Sequence, residues 1–192
     1  MTTLPPAECR FSPTLLSATI PSFRQPRAHC RAAVQDTPAL PGYKILGVLG
    51  RGGMATVYKA RQLGTKRLVA VKVIDRSLAG DEEIVARFRQ EQALGARLRH
   101  RNLIAVYQSG RAAGCPYLVM ELVEGDNLEE LLGRSGPLPV AEACEVIRQA
   151  ALGLQHLHEH GLVHRDVKPS NLMLTPAGEV KVLDLGVARG TW

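Results

Sequence analysis

The hydrophobic pattern of this chain changes near residue 123, from short runs typical of strands to longer runs typical of helices. Before that point one helical stretch, from Asp81 to about Leu98, interrupts five β-type runs: Tyr43–Leu49, Thr56–Arg61, Leu68–Ile74, Leu103–Ser109 and Tyr117–Leu122. After it come a long helix between Pro139 and His160 and two short strands, around Leu172–Leu174 and Val180–Leu183. Because an antiparallel sheet precedes the helices instead of alternating with them, the pattern predicts an α+β fold in two lobes.

The first 41 residues differ in composition from the rest of the chain. They contain seven prolines and only two acidic residues, with no sustained hydrophobic period, which is typical of a disordered tail. Their four arginines also fit a transit peptide, but the prolines would interrupt the amphipathic helix that such a peptide needs. We therefore divide the chain into a proline-rich tail (1–41), a sheet-rich lobe (42–122) and a helical lobe (123–192).

Composition limits the partners and the location of the protein. No run of about 18 apolar residues occurs in the sequence, which predicts that no segment of it spans a membrane. The formal charge is +6, but the basic residues are spread out and aromatic residues make up only 4%, which argues against a nucleic-acid partner. Four cysteines without metal-type or disulfide-scaffold spacing favour reduced thiols and a cytoplasmic protein.

A glycine-rich segment lies between the first two predicted strands. It reads Leu49-Gly50-Arg51-Gly52-Gly53-Met54-Ala55, and its glycines would let backbone N–H groups approach a phosphate closely. Taken alone it also fits an ordinary hairpin turn, since Ala55 stands where a G-x-G-x-x-G motif has its third glycine. The sequence shows neither the strand-to-helix crossover of a dinucleotide-binding unit nor a following Gly-Lys-Ser/Thr.

Two charged residues occur where the pattern predicts apolar surroundings. Lys72 lies in the run Val69–Ile74, and strand alternation places it on the same face as Ala70. Glu91 falls on the apolar stripe of the first helix, in step with Phe88. A carboxylate that faces a core needs a cation, so we expect Lys72 to pair with Glu91 while its ammonium also reaches phosphate oxygens. A lysine that only extends to the surface is the alternative.

Taken in order, these segments resemble the glycine-rich loop, the V-A-I-K strand and the helix-borne glutamate of the protein kinase family. The segment His164-Arg165-Asp166-Val167-Lys168-Pro169-Ser170-Asn171 matches that family's catalytic loop H-R-D-x-x-x-x-N at every fixed position. Asp184-Leu185-Gly186 is similar to its D-F-G, with leucine in place of phenylalanine. Lys168 within the catalytic loop resembles serine/threonine kinases more than tyrosine kinases. The resemblance implies a two-lobed kinase fold and ATP-dependent phosphorylation of proteins.

The resemblance also implies a role for each matching residue. Asp166 would accept the proton of a Ser or Thr hydroxyl on a protein substrate, and Lys168 would contact the γ-phosphate of ATP. Asn171 and Asp184 would hold Mg²⁺ ions. The residues that would surround the nucleotide are Leu49, Gly50, Gly52, Gly53, Val57, Ala70, Lys72, Met120 as the gatekeeper, Glu121, Val123 and Met173.

For adenine, the resemblance implies a flat apolar slot. Val57 and Ala70 would lie above the ring and Met173 below it. The backbone groups of Glu121 and Val123 would form hydrogen bonds with the base.

Besides Leu185, the sequence departs from the family at two further places. Gly95 stands where the family usually packs an aliphatic residue, so we expect the first helix to lose a contact there. Only six residues follow Asp184-Leu185-Gly186, so the resemblance predicts a helical lobe that is incomplete from the activation loop onward. The apolar stripe of the long helix would then face water or a partner that covers it. That stripe comprises Val140, Cys144, Ile147, Ala151, Leu154 and His158.

Three hypotheses about function stay open at this point. The first is an ATP- and Mg²⁺-dependent protein serine/threonine kinase. The second is a nucleotide-binding or interaction module that keeps the chemistry-bearing residues without catalysing transfer. The third is a fragment of a longer kinase whose continuation lies in another reading frame.

Overall fold

The computed structural model of the chain describes residues 38–184 and 189–190. Within these ranges it describes the backbone, but not the side chains, of Arg87, Gln90, Glu91, Leu94, Ala96 and Arg189. The predicted tail, apart from its last four residues, lies outside the described residues, as does the Leu185-Gly186 part of the D-F-G-like motif.

Five antiparallel strands form the sheet of the first lobe, in the spatial order β1-β2-β3-β5-β4. They are β1 (Tyr43–Arg51), β2 (Ala55–Gln62), β3 (Leu68–Ile74), β4 (Val106–Ala112) and β5 (Cys115–Glu121). The central strands β3 and β5 are covered on both faces, which explains their nearly continuous apolar sequences. Val71 and Val119 pack on one face with Tyr43, whereas Ile74 and Leu118 pack on the other.

Helix α1 (Glu82–Arg97) covers the second face of this sheet. Its start is fixed by Asp81, whose side chain accepts hydrogen bonds from the N–H groups of Glu83 and Ile84. Phe88 is buried, as the apolar stripe predicted, and so is Leu98, the residue after the end of the helix.

Gly95 of α1 lies directly against β4, and the predicted loss of contact there is wrong. A Cβ atom added at Gly95 would lie 2.8 Å from the Cβ of Val106 and closer still to one of its methyl groups. The glycine therefore allows the backbone of α1 to approach the sheet more closely than any other residue would.

The predicted strand Leu103–Ser109 begins later than the sequence suggested, at Val106. The residues before it bond to a different element, β9 (Val180–Val182). The N–H of Ile104 donates to the carbonyl of Val182 at 3.0 Å, and the N–H of Val182 donates to the carbonyl of Asn102 at 2.8 Å. This segment therefore joins the five-stranded sheet to the second half of the chain.

The second half of the chain combines helices with short strands. Its elements are β6 (Asp126–Asn127), α2 (Leu128–Ser135), α3 (Val140–Glu159), β7 (Leu162–Val163), β8 (Leu172–Leu174), β9 and β10 (Arg189–Gly190). Strands β6, β8 and β9 form one sheet, and β7 pairs with β10. Together with the five-stranded sheet this confirms the α+β fold. None of the helices within the described residues is long and apolar enough to cross a membrane.

Helix α3 presents two different faces. Its core side buries Val146, Gln149, Ala150, Gly153 and Leu157. On the predicted exposed stripe, the side chain of Val140 is 81% exposed and that of Ile147 is 61% exposed, which confirms that part of the prediction. Leu154 is the exception, because it is half-buried against the core of the second lobe.

Candidate active site

The loop between β7 and β8 brings three of the predicted catalytic and metal residues together. Lys168 Nζ lies 2.9 Å from Asp166 Oδ2. The side-chain nitrogen of Asn171 donates to the same carboxylate oxygen at 3.0 Å and to the backbone carbonyl of Asp166 at 2.8 Å. A short 3₁₀ turn, Pro169–Asn171, brings the amide back to the carboxylate. Asp166 is thus held from its backbone and from its side chain.

His164 ties this loop to the end of β9. Its ring is 1% exposed, with Nε2 2.9 Å from the carbonyl oxygen of Leu183 and Nδ1 3.3 Å from the N–H of Asp166. Because Nδ1 accepts, Nε2 carries the proton and donates to the carbonyl. The histidine therefore sets the position of Asp166 relative to Asp184, the residue after Leu183.

Lys72 of β3 and Asp184 meet although 112 positions separate them in the sequence. The Nζ of Lys72 lies 3.0 Å from Asp184 Oδ1, and the two side chains are 19% and 46% exposed. Asp184 has φ 57°, a left-handed conformation that aspartate tolerates better than most residues. The side chain of Glu91 is outside the described part of the chain, so its pairing with Lys72 stays a prediction.

An apolar cluster next to Lys72 contains most of the residues predicted to surround adenine. Ala70 and Met120 are buried in it, and Val57 and Val123 line it half-buried. The cluster also includes three residues that the sequence analysis missed: Ile104, Leu122 and Leu183. Met173 lies on β8, half-buried and opposite Lys181 of β9.

The glycine-rich segment forms the turn between β1 and β2. Gly50 pairs with Val57, and the N–H of Gly52 donates to the carbonyl of Ala55 at 2.9 Å. Leu49 is 51% exposed at the edge of this turn. Neither Gly50 nor Gly53 has a positive φ, and a Cβ added at either would meet no described atom within 4 Å. The turn's own packing therefore does not require these glycines, whereas a phosphate held against the backbone would.

Electrostatics favours the ionised form of Asp166. The hydrogen bond from Lys168 lowers the pKa of this carboxyl below its ordinary value, and the hydrogen bond from Asn171 lowers it further. The same pair raises the pKa of Lys168. Because the pKa of Asp166 is lower in the folded protein, its hydrogen bonds with Lys168 and Asn171 stabilise the fold above the pKa that Asp166 has in the unfolded chain. This stabilisation is lost as the pH falls through the pKa of Asp166 in the folded protein. Asp166 is therefore ionised throughout the neutral range.

We predict that Lys168→Met raises the pKa of Asp166 toward its ordinary value, because the strongest hydrogen bond to the carboxylate is removed. The pKa can be followed by ¹³C NMR titration of the aspartate carboxyl groups. Lys44→Met, at an exposed position of β1, is the matched control and should leave this titration unchanged. A pKa of Asp166 that is the same in both variants would contradict the prediction.

Comparison with known proteins decides the family of this chain. The sequence profile of the protein kinase domain matches residues 43–191. The chain belongs to the protein kinase family. Members of this family transfer the γ-phosphoryl group of ATP with the help of Mg²⁺.

Several bacterial serine/threonine kinases are similar to this protein kinase chain. Serine/threonine-protein kinase PknL of Mycobacterium tuberculosis is 44% identical over 147 residues, and PknB of Mycobacterium leprae is 42% identical over 151 residues. PrkC of Bacillus subtilis is 40% identical over 146 residues. The aligned parts are 77%, 77% and 76% of this chain, but only 37%, 24% and 22% of those proteins. The chain therefore spans little more than a third of PknL and about a quarter of the other two.

Two polar contacts between distant segments of this kinase chain escaped the sequence analysis. Lys181 of β9 forms an ion pair with Glu121, of which only the backbone had been considered. Asn102 and Gln149 form a buried hydrogen bond of 3.1 Å between the segment before β4 and helix α3. Lys181 did carry a signal, since it stands between two fully buried valines, Val180 and Val182. Its partner is 60 residues away and has no fixed spacing from it.

Proposed function

We propose that this chain carries an ATP- and Mg²⁺-dependent site that transfers a phosphoryl group to serine or threonine hydroxyls of a protein. The observation that carries the proposal is the way five side chains pair, three within one loop and two between β3 and the residue after Leu183. Asp166, Lys168 and Asn171 are joined within one loop, and Lys72 reaches Asp184 from the sheet at 3.0 Å. Phosphoryl transfer requires positioning and charge stabilisation more than covalent help from the protein, and this set supplies both.

In the proposed reaction the substrate hydroxyl oxygen bonds to the γ-phosphorus, and the bond from that phosphorus to the β–γ bridging oxygen breaks. The hydroxyl proton passes to Asp166, whose depressed pKa keeps it ionised at neutral pH. ADP leaves with the electron pair of the broken bond. Lys72 and Lys168 stabilise the negative charge that spreads over the phosphate oxygens. Asn171 keeps the carboxylate of Asp166 oriented through its two hydrogen bonds.

The chemistry of the donor set supports Mg²⁺ at Asn171 and Asp184. Magnesium prefers oxygen ligands, and Asp184 offers a carboxylate. Both hydrogen bonds of Asn171 use its amide nitrogen, which leaves the oxygen as the atom for a cation. Mg²⁺ held by these two residues would neutralise the negative charge that develops on the phosphate oxygens.

The nucleotide base is assigned to the apolar cluster around Ala70 and Met120. Its small and flexible side chains suit a flat aromatic ring, and the glycine-rich turn would carry the phosphates. Met173 and the backbone groups of Glu121 and Val123 complete the proposed adenine site. A cytoplasmic location, and a partner on the exposed stripe of α3, stay predictions.

Two measurements test the proposal. The first is thermal unfolding with and without ATP and Mg²⁺, and the second is transfer of labelled phosphate to a generic basic protein. Nucleotide at about 100 times its Kd should stabilise the fold by about 2.7 kcal/mol. Lys72→Met should reduce the nucleotide-dependent stabilisation because it removes a cation that faces the phosphates, whereas Lys44→Met should not. Stabilisation together with transfer supports the kinase, and stabilisation without transfer indicates the non-catalytic module. If ATP and Mg²⁺ do not stabilise the chain, the proposed site is wrong.

A further inference from the structure

An ion pair joins the strand before Asp184 to the strand that carries the proposed base-binding backbone. Lys181 Nζ lies 3.0 Å from Glu121 Oε1 and 3.2 Å from Glu121 Oε2. The two side chains are 12% and 26% exposed, whereas the surface pair Arg148–Glu145 on α3 is 59% and 43% exposed. Charges that are this far from water need a partner, because removal of one leaves the other poorly solvated.

Glu121 is attached to its surroundings by more than this pair. Its side chain accepts a hydrogen bond from the N–H of Ala105 at 3.2 Å, and its own N–H donates to the carbonyl of Ala105 at 2.8 Å. The preceding residue, Ile104, bonds to Val182, the residue after Lys181. These contacts link three segments to one another: the end of β5, the segment before β4, and strand β9.

Both ends of the pair belong to elements that form the nucleotide site. Lys181 is opposite Met173 in the β8–β9 register, and Met173 is proposed to lie below adenine. Glu121 is the residue after Met120, and its backbone is proposed to bind the base. Neither charged side chain is assigned a contact with ATP. The pair therefore acts on the site through the backbone and strands that it connects.

We propose that Lys181 and Glu121 form a positioning pair, which holds the end of β5 at a fixed distance from β8 and β9 and so sets the opening of the adenine slot. This inference rests on the proposed ATP site. When one partner is lost, the other turns toward water and the base-binding backbone moves with it. The affinity for ATP then falls although every atom that is proposed to contact the nucleotide is retained.

The test is the Kd of ATP, measured with Mg²⁺ on the whole chain by calorimetry, for variants of the pair. Lys181→Met and Glu121→Gln should each weaken binding about fivefold or more, the lower end of typical coupling between separate positions. The double variant Lys181→Met/Glu121→Gln should be no weaker than either single variant, since the same contact is lost. Lys181→Arg, and the exchange Lys181→Glu/Glu121→Lys, should each bind ATP with nearly the affinity of the wild type, because a cation still faces a carboxylate. Arg148→Met, at the exposed pair, is the matched control and should bind ATP as the wild type does.

The outcomes separate this inference from the proposed function. If wild-type protein binds ATP and Lys181→Met binds it equally well, with only a lower melting temperature, the pair is structural and the inference is wrong. If the wild type does not bind ATP, the proposed site fails and the inference fails with it. If Lys181→Met does not fold, the Kd of ATP for the exchanged variant Lys181→Glu/Glu121→Lys tests the inference instead. Wild-type affinity in the exchanged protein supports a positioning pair, and affinity about fivefold weaker overturns it.

Discussion

Asp166→Asn is expected to lower the rate of phosphoryl transfer by about 10²- to 10⁴-fold, the usual contribution of a positioned general base. An asparagine in this place retains an oxygen that can accept the hydrogen bond from Asn171, so the loop should keep its conformation. It cannot take up the proton of the substrate hydroxyl. The Kd of ATP should stay close to the wild-type value, because Asp166 is assigned to the hydroxyl and not to the nucleotide.

Two measurements and a control make this prediction specific. Transfer of labelled phosphate gives the rate, and calorimetry with ATP and Mg²⁺ gives the Kd. Asp126→Asn is the matched control, since it neutralises a half-buried carboxylate that pairs with Arg134 at 2.8 Å, and it should leave the transfer rate unchanged. A rate for Asp166→Asn equal to that of the control would show that another group accepts the proton. An equal loss of rate and of ATP affinity would show that Asp166 helps to bind the nucleotide.

The catalytic loop could be predicted from the sequence because its parts are close together along the chain. Asp166, Lys168 and Asn171 lie within six residues, so a loop of defined shape is enough to bring them into contact. The same holds for the strands that carry Ala70 and Met120, whose apolar alternation indicates both the element and its buried face. For these residues the local sequence pattern is enough to predict the position in the fold.

Contacts between distant segments could not be predicted in the same way. The pairing of Lys72 with Glu91 stays a prediction, and the sequence analysis did not foresee the ion pair between Lys72 and Asp184, which follows β9. The Glu121–Lys181 pair was missed altogether. Each depends on how β9 docks against the five-stranded sheet through the segment before β4. That docking is set by backbone hydrogen bonds, which carry no side-chain signature.

Helix α3 shows why hydrophobicity alone gives an incomplete account of a buried face. Gln149 is 9% exposed, yet its side chain donates to the carbonyl of Gly178 at 2.8 Å and accepts from the N–H of Val180 at 2.9 Å. Burial of such an amide is tolerated because its hydrogen-bonding groups are used. Gly153 is also buried, and it lets the backbone of α3 lie so close to Asn102 that a Cβ there would be 2.9 Å from the carbonyl oxygen of that residue. The sequence gives no hydrophobic signal at Gln149 or Gly153, yet both residues are buried in the core side of α3.

Gly95→Ala is expected to destabilise the protein although alanine is the better helix former. The added methyl group would lie 2.8 Å from the Cβ of Val106 and would overlap one of its methyl groups. Overpacking of this kind costs about 1–3 kcal/mol, and the gain in helix propensity offsets about 1 kcal/mol of it. We expect a net decrease in the free energy of unfolding, measured by urea denaturation. Gly133→Ala in α2 is the matched control, because its Cβ would contact no described atom within 4 Å, and it should stabilise the fold by about 1 kcal/mol.

A second substitution shows whether the methyl group of Val106 is the cause. Val106→Ala alone should destabilise the protein, because it deletes buried methyl groups from the contact between α1 and β4. In the Gly95→Ala background the same change also makes room for the new methyl group, so the double variant should be more stable than the sum of the two single effects predicts. Additive effects would mean that α1 moves away from β4 to accept the methyl group. In that case other contacts of α1 would set the distance between the helix and the sheet, and the close approach at Gly95 would only follow from them.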